Sequence, residues 1–358
     1  MTFEAVSKKE GSFISPFWDF ICVGGLTFFF MPVFLLFDIG AFAFGVIAII
    51  IYALALVNDN PHFMFSYQVM YENFSRKLSA DNTLSSRFRY LFSGVIVPIL
   101  LICFYIYGYL HGAQNQNTLM LGYAINAMVF FVGWHYVKQG YGVLITFSVK
   151  RRLFFADLEK KILLYNAYAV WVAVWLFSNR FFPVHFENFY IPYTPVHIPF
   201  DGSLFVFAGL LSILLVSLVF LRRLFKGNII WNGWVGYLCA VYLWMIALYY
   251  EASFVLVVPA LHSLQYLLFI GKLTFEKRRG EDQKVHGFLG FAAISGILGV
   301  LSLLIVPVSL DLLVPYDRDV FGPALFMMMF VVFISIHHYF IDFAIWRKDN
   351  PDMKYLYQ

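Results

Sequence analysis

Charged residues are scarce in this chain, and long polar stretches are missing. Asp, Glu, Lys and Arg make up 13% of its 358 residues, about half the share in typical globular proteins. Hydrophobic residues make up 61% and aromatic residues 21%. Apolar runs of about 20 residues, each long enough to cross a bilayer as a helix, recur along the chain. The composition predicts an all-α, polytopic helical bundle embedded in a lipid bilayer.

Cysteine is scarce as well, and the excess of positive charge is small. The three cysteines, Cys22, Cys103 and Cys239, all lie within apolar runs, which is typical of small buried hydrophobic residues and not of disulfide frameworks or zinc knuckles. The net charge of +4 is explained by basic cytoplasmic loops. Nucleic acid is therefore not an expected partner.

Several familiar catalytic motifs are absent. The sequence contains no Gly-x-Ser-x-Gly, no His-Glu-x-x-His, no Walker loop and no glycine-rich dinucleotide fingerprint. Any reductant or second substrate must then come from the membrane or from another protein, such as an electron-donor protein.

The apolar runs predict about ten transmembrane helices in a single integral membrane domain, residues 1–358. Their expected positions are 17–37, 41–57, 88–110, 118–137, 160–178, 203–221, 230–250, 253–271, 287–307 and 322–346. Lysine and arginine concentrate before the first span and in alternate loops. By the positive-inside rule, both termini should be cytoplasmic, and we expect a bacterial inner-membrane location.

Two connecting segments are longer than simple loops. Residues 63–74 form an aromatic amphipathic stretch, which predicts a helix lying in the cytoplasmic membrane interface. Residues 179–202 contain four prolines and are predicted to cap the outer face without a helix.

Five histidines are predicted to lie at one depth, in the cytoplasmic half of the bundle. They are His62, His135, His262, His337 and His338. Ionisable side chains at membrane depth are costly and usually mark a functional site. The histidines His111, His185 and His197 fall on the opposite side and are not expected to take part.

Helical spacing places a second polar group beside three of these histidines. Asp342 follows His338 by four residues, Gln139 follows His135 by four, and Gln265 follows His262 by three, so each pair shares a helix face. Imidazoles with a carboxylate and further polar partners suit a metal ion, non-haem iron first and zinc second. The candidate metal ligands are His62, His135, His262, His337, His338 and Asp342, and the candidate catalytic residues are His338, Asp342 and His262.

Simpler interpretations remain open for these residues. A single histidine in a span more often forms a hydrogen bond with a neighbouring helix than binds a metal. Adjacent imidazoles on a helix point about 100° apart, so one of His337 and His338 can bind a metal while the other packs or donates a hydrogen bond. Asp342 can also be a counter-charge for Lys138 or Arg347, and then no metal is needed.

The segment Ile336-His-His-Tyr-Phe-Ile-Asp342, together with single histidines at the cytoplasmic ends of other spans, resembles the integral-membrane non-haem iron enzymes. These include membrane desaturases and hydroxylases and the bacterial carotene-cleaving dioxygenases. Desaturases carry three tight histidine boxes, whereas this chain has one adjacent pair. The resemblance implies an iron-dependent oxygenase or desaturase acting on a lipid, a carotenoid or another apolar substrate that enters from the bilayer.

Other functions compete with this one. The chain also resembles ten-span membrane acyltransferases, which implies acyl or prenyl transfer with His262 as general base. A transporter or a subunit of a membrane complex would use His338, Asp342, Lys138 and His135 as a proton relay or ion-pair network. Histidines on facing helices can also hold a haem axially.

Overall fold

The computed structural model describes residues 11–27, 58–79, 82–185, 191–250, 254–280 and 285–357. Within these ranges every regular secondary-structure element is a helix, and there is no β-strand. The fold class predicted from the composition is thereby confirmed. The chain divides into two compact units, the first formed by residues 1–58, 133–178 and 198–272, and the second by 59–132, 179–197 and 273–358.

The helices are numbered here in chain order. They are α1 (Pro16–Phe20), α2 (58–71), α3 (Phe74–Lys77), α4 (Leu84–Asn115), α5 (Leu119–Lys150), α6 (Asp157–His185), α7 (Asp201–Phe225), α8 (Trp231–Tyr250), α9 (Phe254–Gly280), α10 (285–313), α11 (Arg318–Phe321) and α12 (Leu325–Ile345). A π-helical segment, Ile21–Gly25, follows α1, and others interrupt α4 at Phe92–Ile96 and α10 at Leu301–Ile305. A 3₁₀ helix, Pro351–Leu356, follows α12.

Six helices in the described part of the chain are long and apolar enough to cross a membrane: α4, α5, α6, α7, α10 and α12. The chain is thus an integral, multi-pass membrane protein. These helices coincide with six of the ten predicted spans. Residues 28–37 of the predicted span 17–37 and all of the predicted span 41–57 lie outside the described residues, and the count of ten is not confirmed. At 230–250 and 253–271 the chain forms α8 and α9, which are not among the six.

The helix α5 extends well beyond the predicted end at residue 137. The membrane span was predicted to end at residue 137, whereas the helix α5 continues to Lys150. A Cβ atom on Gly140 would lie 2.4 Å from the Cβ of Ala240 in α8. The glycine therefore marks a close approach of two helices, which sequence alone does not distinguish from a helix end.

The segment 179–202, which was predicted to cap the outer face, differs in part from its prediction. The helix α6 continues through Pro183 to His185, so the expectation of no helix after residue 179 is wrong for its first turns. Residues 191–198 are not helical. They are held through Asn179, whose Oδ1 accepts hydrogen bonds from the Val196 amide at 2.7 Å and the Tyr193 hydroxyl at 3.1 Å.

The aromatic stretch that begins at residue 63 also differs from its prediction. It forms a helix as expected, but α2 is largely buried in the protein and does not lie on the surface. Ser66 and Met70 are fully buried. A Cβ atom on Gly299 of α10 would lie 2.7 Å from the backbone of Asn60. The helix α10 thus packs directly on α2, and the polar side chains of α2 face other helices.

Ionic contacts hold the C-terminal end of α2. The Lys77 ammonium donates to the carbonyl oxygens of Val69 and Met70, where the negative end of the helix dipole favours a cation. Burial lowers the pKa of Lys77 to about 8, against the opposing effect of Asp352. Glu72 pairs with Lys277 at 3.0 Å.

A carboxylate from another helix caps α12. Asp311 of α10 is buried and accepts hydrogen bonds from the backbone amides of Phe326 at 2.8 Å and Met327 at 2.9 Å. The Tyr316 hydroxyl donates to the same carboxylate at 3.0 Å. A negative charge at this position satisfies amides that have no partner within the helix and complements the helix dipole. Asp311 therefore fixes the start of the helix that carries His337 and His338.

We expect Asp311→Asn to destabilise the protein by about 1–3 kcal/mol, because it removes charge-assisted hydrogen bonds from a buried site. Unfolding of the detergent-solubilised protein would measure this. The matched control is Asp317→Asn, since Asp317 caps the exposed α11 through the amides of Asp319 and Val320. If Asp311→Asn lost no more stability than the control, this would contradict the assignment of Asp311 as the cap of α12.

Candidate metal centre

The helix α12 presents a buried histidine and a buried carboxylate on one face. His338 and Asp342 lie one helical turn apart, with His338 fully buried and the Asp342 side chain 5% exposed. The distance between His338 Nε2 and Asp342 Oδ2 is 3.6 Å. This pair was predicted from its spacing, and the structure places the two groups side by side.

The helix α2 carries a second polar pair, His62 and Ser66, which are also four residues apart. The rings of His62 and His338 meet edge to face, with centroids 4.5 Å apart, and a nitrogen of one ring lies within 4.8 Å of a nitrogen of the other. The Ser66 hydroxyl donates to Asp342 Oδ1 at 3.0 Å. Two pairs, one on each helix, thus form the α2–α12 cluster: His62, Ser66, His338 and Asp342.

One separation within the α2–α12 cluster is close to that between two ligands of one metal ion. Ligand atoms bound to one ion at about 2.1 Å lie roughly 3.0–3.4 Å from each other, and the 3.6 Å between His338 Nε2 and Asp342 Oδ2 is close to this range. Two histidines and one carboxylate are the ligands of non-haem iron sites with open positions. Ser66 donates a hydrogen bond to Asp342, and a partner of this kind, which does not itself bind the metal, orients the carboxylate.

Phe63 covers the cluster on one side. Its ring stacks on His62 with centroids 4.9 Å apart and meets the edge of His338 at 5.0 Å. An apolar wall of this kind excludes water and strengthens electrostatic interactions inside the site.

The neighbouring His337 has different contacts. Its Nε2 lies 3.0 Å from the backbone carbonyl oxygen of Ser93, and its Nδ1 lies 2.7 Å from the Tyr67 hydroxyl. Both ring nitrogens therefore have hydrogen-bond partners within the second unit. Of the two adjacent histidines, His338 alone belongs to the α2–α12 cluster.

The other two predicted ligands lie in the first unit. His135 of α5 and His262 of α9 are buried, and their rings meet with centroids 4.8 Å apart. Tyr136 stacks flat on His262 at a centroid distance of 3.6 Å. Three buried histidines each offer a ring nitrogen that can bind a metal: His62, His135 and His338. That His135 and His262 share one ion with His62 and His338 stays a prediction.

The glutamines beside these two histidines bond to each other. Gln139 Nε2 donates to Gln265 Oε1 at 2.9 Å and to the His262 backbone carbonyl at 3.3 Å. Gln265 Nε2 donates to the carbonyl oxygens of Val23 at 3.0 Å and Gly236 at 3.3 Å. The predicted pairing of each glutamine with its own histidine is thus replaced by a network that positions the backbone around His262.

The ring separations bear on the haem alternative. A haem between two imidazoles, with metal–nitrogen bonds of about 2 Å on each side, requires ring centroids roughly 6 Å apart. The rings of His135 and His262 are 4.8 Å apart, and those of His62 and His338 are 4.5 Å apart. Neither pair, as arranged here, leaves room for a porphyrin.

Sequence reasoning missed Ser66, Phe63 and Tyr67. Ser66 follows His62 by four residues, and this spacing was the available signal, hidden by the prediction of an interfacial helix. The positions of Phe63 and Tyr67 depend on how α2 packs and had no sequence signal. His111 and His197, which were predicted to lie on the opposite side, are not in the α2–α12 cluster, and His197 is exposed. The His185 side chain lies outside the described part.

No family model matches this chain, and comparisons with curated proteins and with solved structures found no match.

Proposed function

We propose that this protein is a membrane-embedded, metal-dependent enzyme whose metal is held by His62, His338 and Asp342. The observation that supports this most is the α2–α12 cluster. In it, His338 Nε2 lies 3.6 Å from Asp342 Oδ2, and the His338 ring meets the ring of His62 edge to face with centroids 4.5 Å apart. Buried ionisable groups in membrane proteins are expensive and are found at functional sites.

Non-haem iron is the metal that this ligand set favours, and zinc is second. Iron, when bound, would supply an open position at which oxygen is activated for oxidation of a C–H or C=C bond. The chain's own residues would bind and orient the ion, with Ser66 holding Asp342 and Phe63 excluding water. Electrons would come from a donor protein, because the sequence carries no dinucleotide fingerprint.

A lipid, a carotenoid or another apolar molecule is the proposed substrate. The described chain is mostly apolar helix, and a substrate from the bilayer could reach a buried site without crossing water. In this proposal His135 and His262 of the first unit are further ligands. Alternatively, His262 serves as a general base in acyl or prenyl transfer, which requires no metal.

Elemental analysis of the detergent-purified full chain tests the proposal. We expect about one iron or zinc atom per chain after removal of loosely bound ions. A metal content below one atom per ten chains, both in the purified protein and after reloading with Fe²⁺ or Zn²⁺, would contradict the metalloenzyme proposal.

A proton relay is the second candidate, and the same cluster favours it. Ser66, Asp342 and His338 are buried and in contact, and Tyr67 and His337 form a hydrogen bond at 2.7 Å nearby along the same helices. Chains of such groups carry protons in pumps and transporters. Absence of metal together with proton uptake that depends on Asp342 would favour this function.

We also propose that both termini are cytoplasmic. In a variant with Cys22, Cys103 and Cys239 replaced by serine, a cysteine at exposed position Lys354 should react with a membrane-impermeant thiol reagent only after cells are permeabilised. A cysteine at exposed position Asp317 should react in intact cells, since the positive-inside rule places it outside. Labelling of the Lys354 position from outside intact cells would overturn this orientation.

A further inference from the structure

The contacts of His337 define its protonation. The carbonyl oxygen of Ser93 only accepts hydrogen bonds, so His337 Nε2, 3.0 Å away, must carry a proton. A charged imidazolium buried in an apolar helix bundle is costly, so His337 is neutral and its Nδ1 accepts the proton of the Tyr67 hydroxyl at 2.7 Å. One tautomer thus satisfies both contacts.

The acceptor of this bond lies in an irregular part of α4. Ser93 and Gly94 belong to the π-helical segment Phe92–Ile96. A π-bulge alters the regular backbone bonding of a helix, so its carbonyl groups can accept bonds from side chains. The Gly94 carbonyl accepts such a bond from the Tyr71 hydroxyl at 2.7 Å, next to the one that Ser93 accepts from His337.

The same π-helical segment fixes the position of α2. A Cβ atom on Gly94 would lie 2.8 Å from the Phe74 ring and 2.9 Å from the end of the Met70 side chain, so a larger residue at this position would have to displace these side chains. Tyr67 and Tyr71 are one turn apart on α2, and one bonds to His337 while the other bonds to α4. The helix that carries His62 and Ser66 is therefore fixed against both α4 and α12.

We propose that His337 is a positioning residue and not a metal ligand. As a neutral Nε2–H imidazole it links Tyr67 of α2 to Ser93 of α4, and this link keeps His62 and Ser66 opposite His338 and Asp342. The adjacent histidines thus divide two roles, His338 as ligand and His337 as support. The effect on metal binding rests on the proposed metal site, whereas the tautomer and the Tyr67 contact do not.

Nitrogen-15 NMR of the histidine-labelled full chain in detergent tests the tautomer. The signals that disappear in His337→Gln should be those of a neutral ring protonated at Nε2, with Nδ1 as hydrogen-bond acceptor. Tyr67→Phe should shift the Nδ1 signal. Its matched control, Tyr71→Phe, removes a hydroxyl one turn away that does not contact His337 through a hydrogen bond and should leave that signal in place. An Nδ1-protonated or charged His337, or a Tyr67→Phe spectrum identical to wild type, would overturn the proposal.

Cobalt binding tests the supporting role. Loss of an outer partner typically weakens metal affinity 10–100-fold, so His337→Gln and Tyr67→Phe should still bind one Co²⁺ per chain, with weaker affinity and a shifted visible absorption band. His338→Gln should lose the tight site. Complete loss of cobalt in His337→Gln, in a protein that still folds by circular dichroism, would identify His337 as a ligand and overturn the proposal. No Co²⁺ binding to wild type would instead count against the proposed metal site, while the NMR result still decides the role of His337.

Discussion

His338→Ala is expected to lower the metal bound by the purified protein from about one atom per chain to less than one in ten. The side chain is fully buried between His62 and Asp342. The site has few ligands, so the loss of one of them should abolish tight metal binding. The helices should stay packed, because many other contacts hold them together. Elemental analysis measures the effect, and circular dichroism checks that the helices remain.

The matched control is His197→Ala, which removes an exposed histidine in the second unit and should leave the metal content unchanged. His62→Ala and Asp342→Ala should resemble His338→Ala. His135→Ala and His262→Ala decide whether the first unit supplies further ligands. If instead these histidines are only interhelical hydrogen-bond partners, each loss should cost about 0.6 kcal/mol on average. Full metal content in the His338→Ala protein would contradict the assignment.

Arg223→Met is expected to destabilise the protein by about 3–5 kcal/mol, because it leaves Glu159 as a buried charge without its main partner. The Arg223 guanidinium and the Glu159 carboxylate are both almost fully buried and 3.3 Å apart. The guanidinium also donates to the carbonyl oxygens of Phe154 and Leu153 at 3.0 Å each and stacks on the Phe155 ring. Unfolding of the protein in mixed micelles by increasing denaturing detergent would measure this loss.

The double variant Arg223→Met with Glu159→Gln is the informative comparison for this ion pair. Removing the carboxylate charge as well should recover part of the lost stability, since the penalty comes mainly from the unpaired charge. The exposed Arg222 lies 3.8 Å from the other Glu159 oxygen, and Arg222→Met should cost less than about 1 kcal/mol. A cost for Arg223→Met as small as that for Arg222→Met would contradict the buried-pair account.

The fold class and six spans could be predicted because hydropathy alone determines them. Helix ends could not, since Gly140 is required by the packing of Ala240 and not by a turn. The burial of α2 could not be predicted from the sequence either. Its aromatic and polar pattern fits a membrane interface as well as it fits a helix enclosed by α4, α10 and α12, and only tertiary packing distinguishes these.

The candidate site was predictable to the extent that helical spacing defines it. The four-residue interval placed Asp342 beside His338, and the structure confirms that contact. The same interval places Gln139 one turn from His135 on α5, and the sequence did not predict that Gln139 donates a hydrogen bond to Gln265. The contact that distinguishes His337 from His338 is made to the Ser93 carbonyl in the π-helical segment of α4, for which the sequence offered no signal.

X-ray absorption spectroscopy of the metal-loaded full chain in detergent tests the central claim most directly. The account predicts at least two imidazole ligands, at about 2.0–2.1 Å for zinc, and one carboxylate oxygen. One imidazole should disappear in His62→Ala and remain in the exposed control His197→Ala. A metal surrounded by oxygen atoms alone, or an imidazole count that is the same in His62→Ala and wild type, would contradict it.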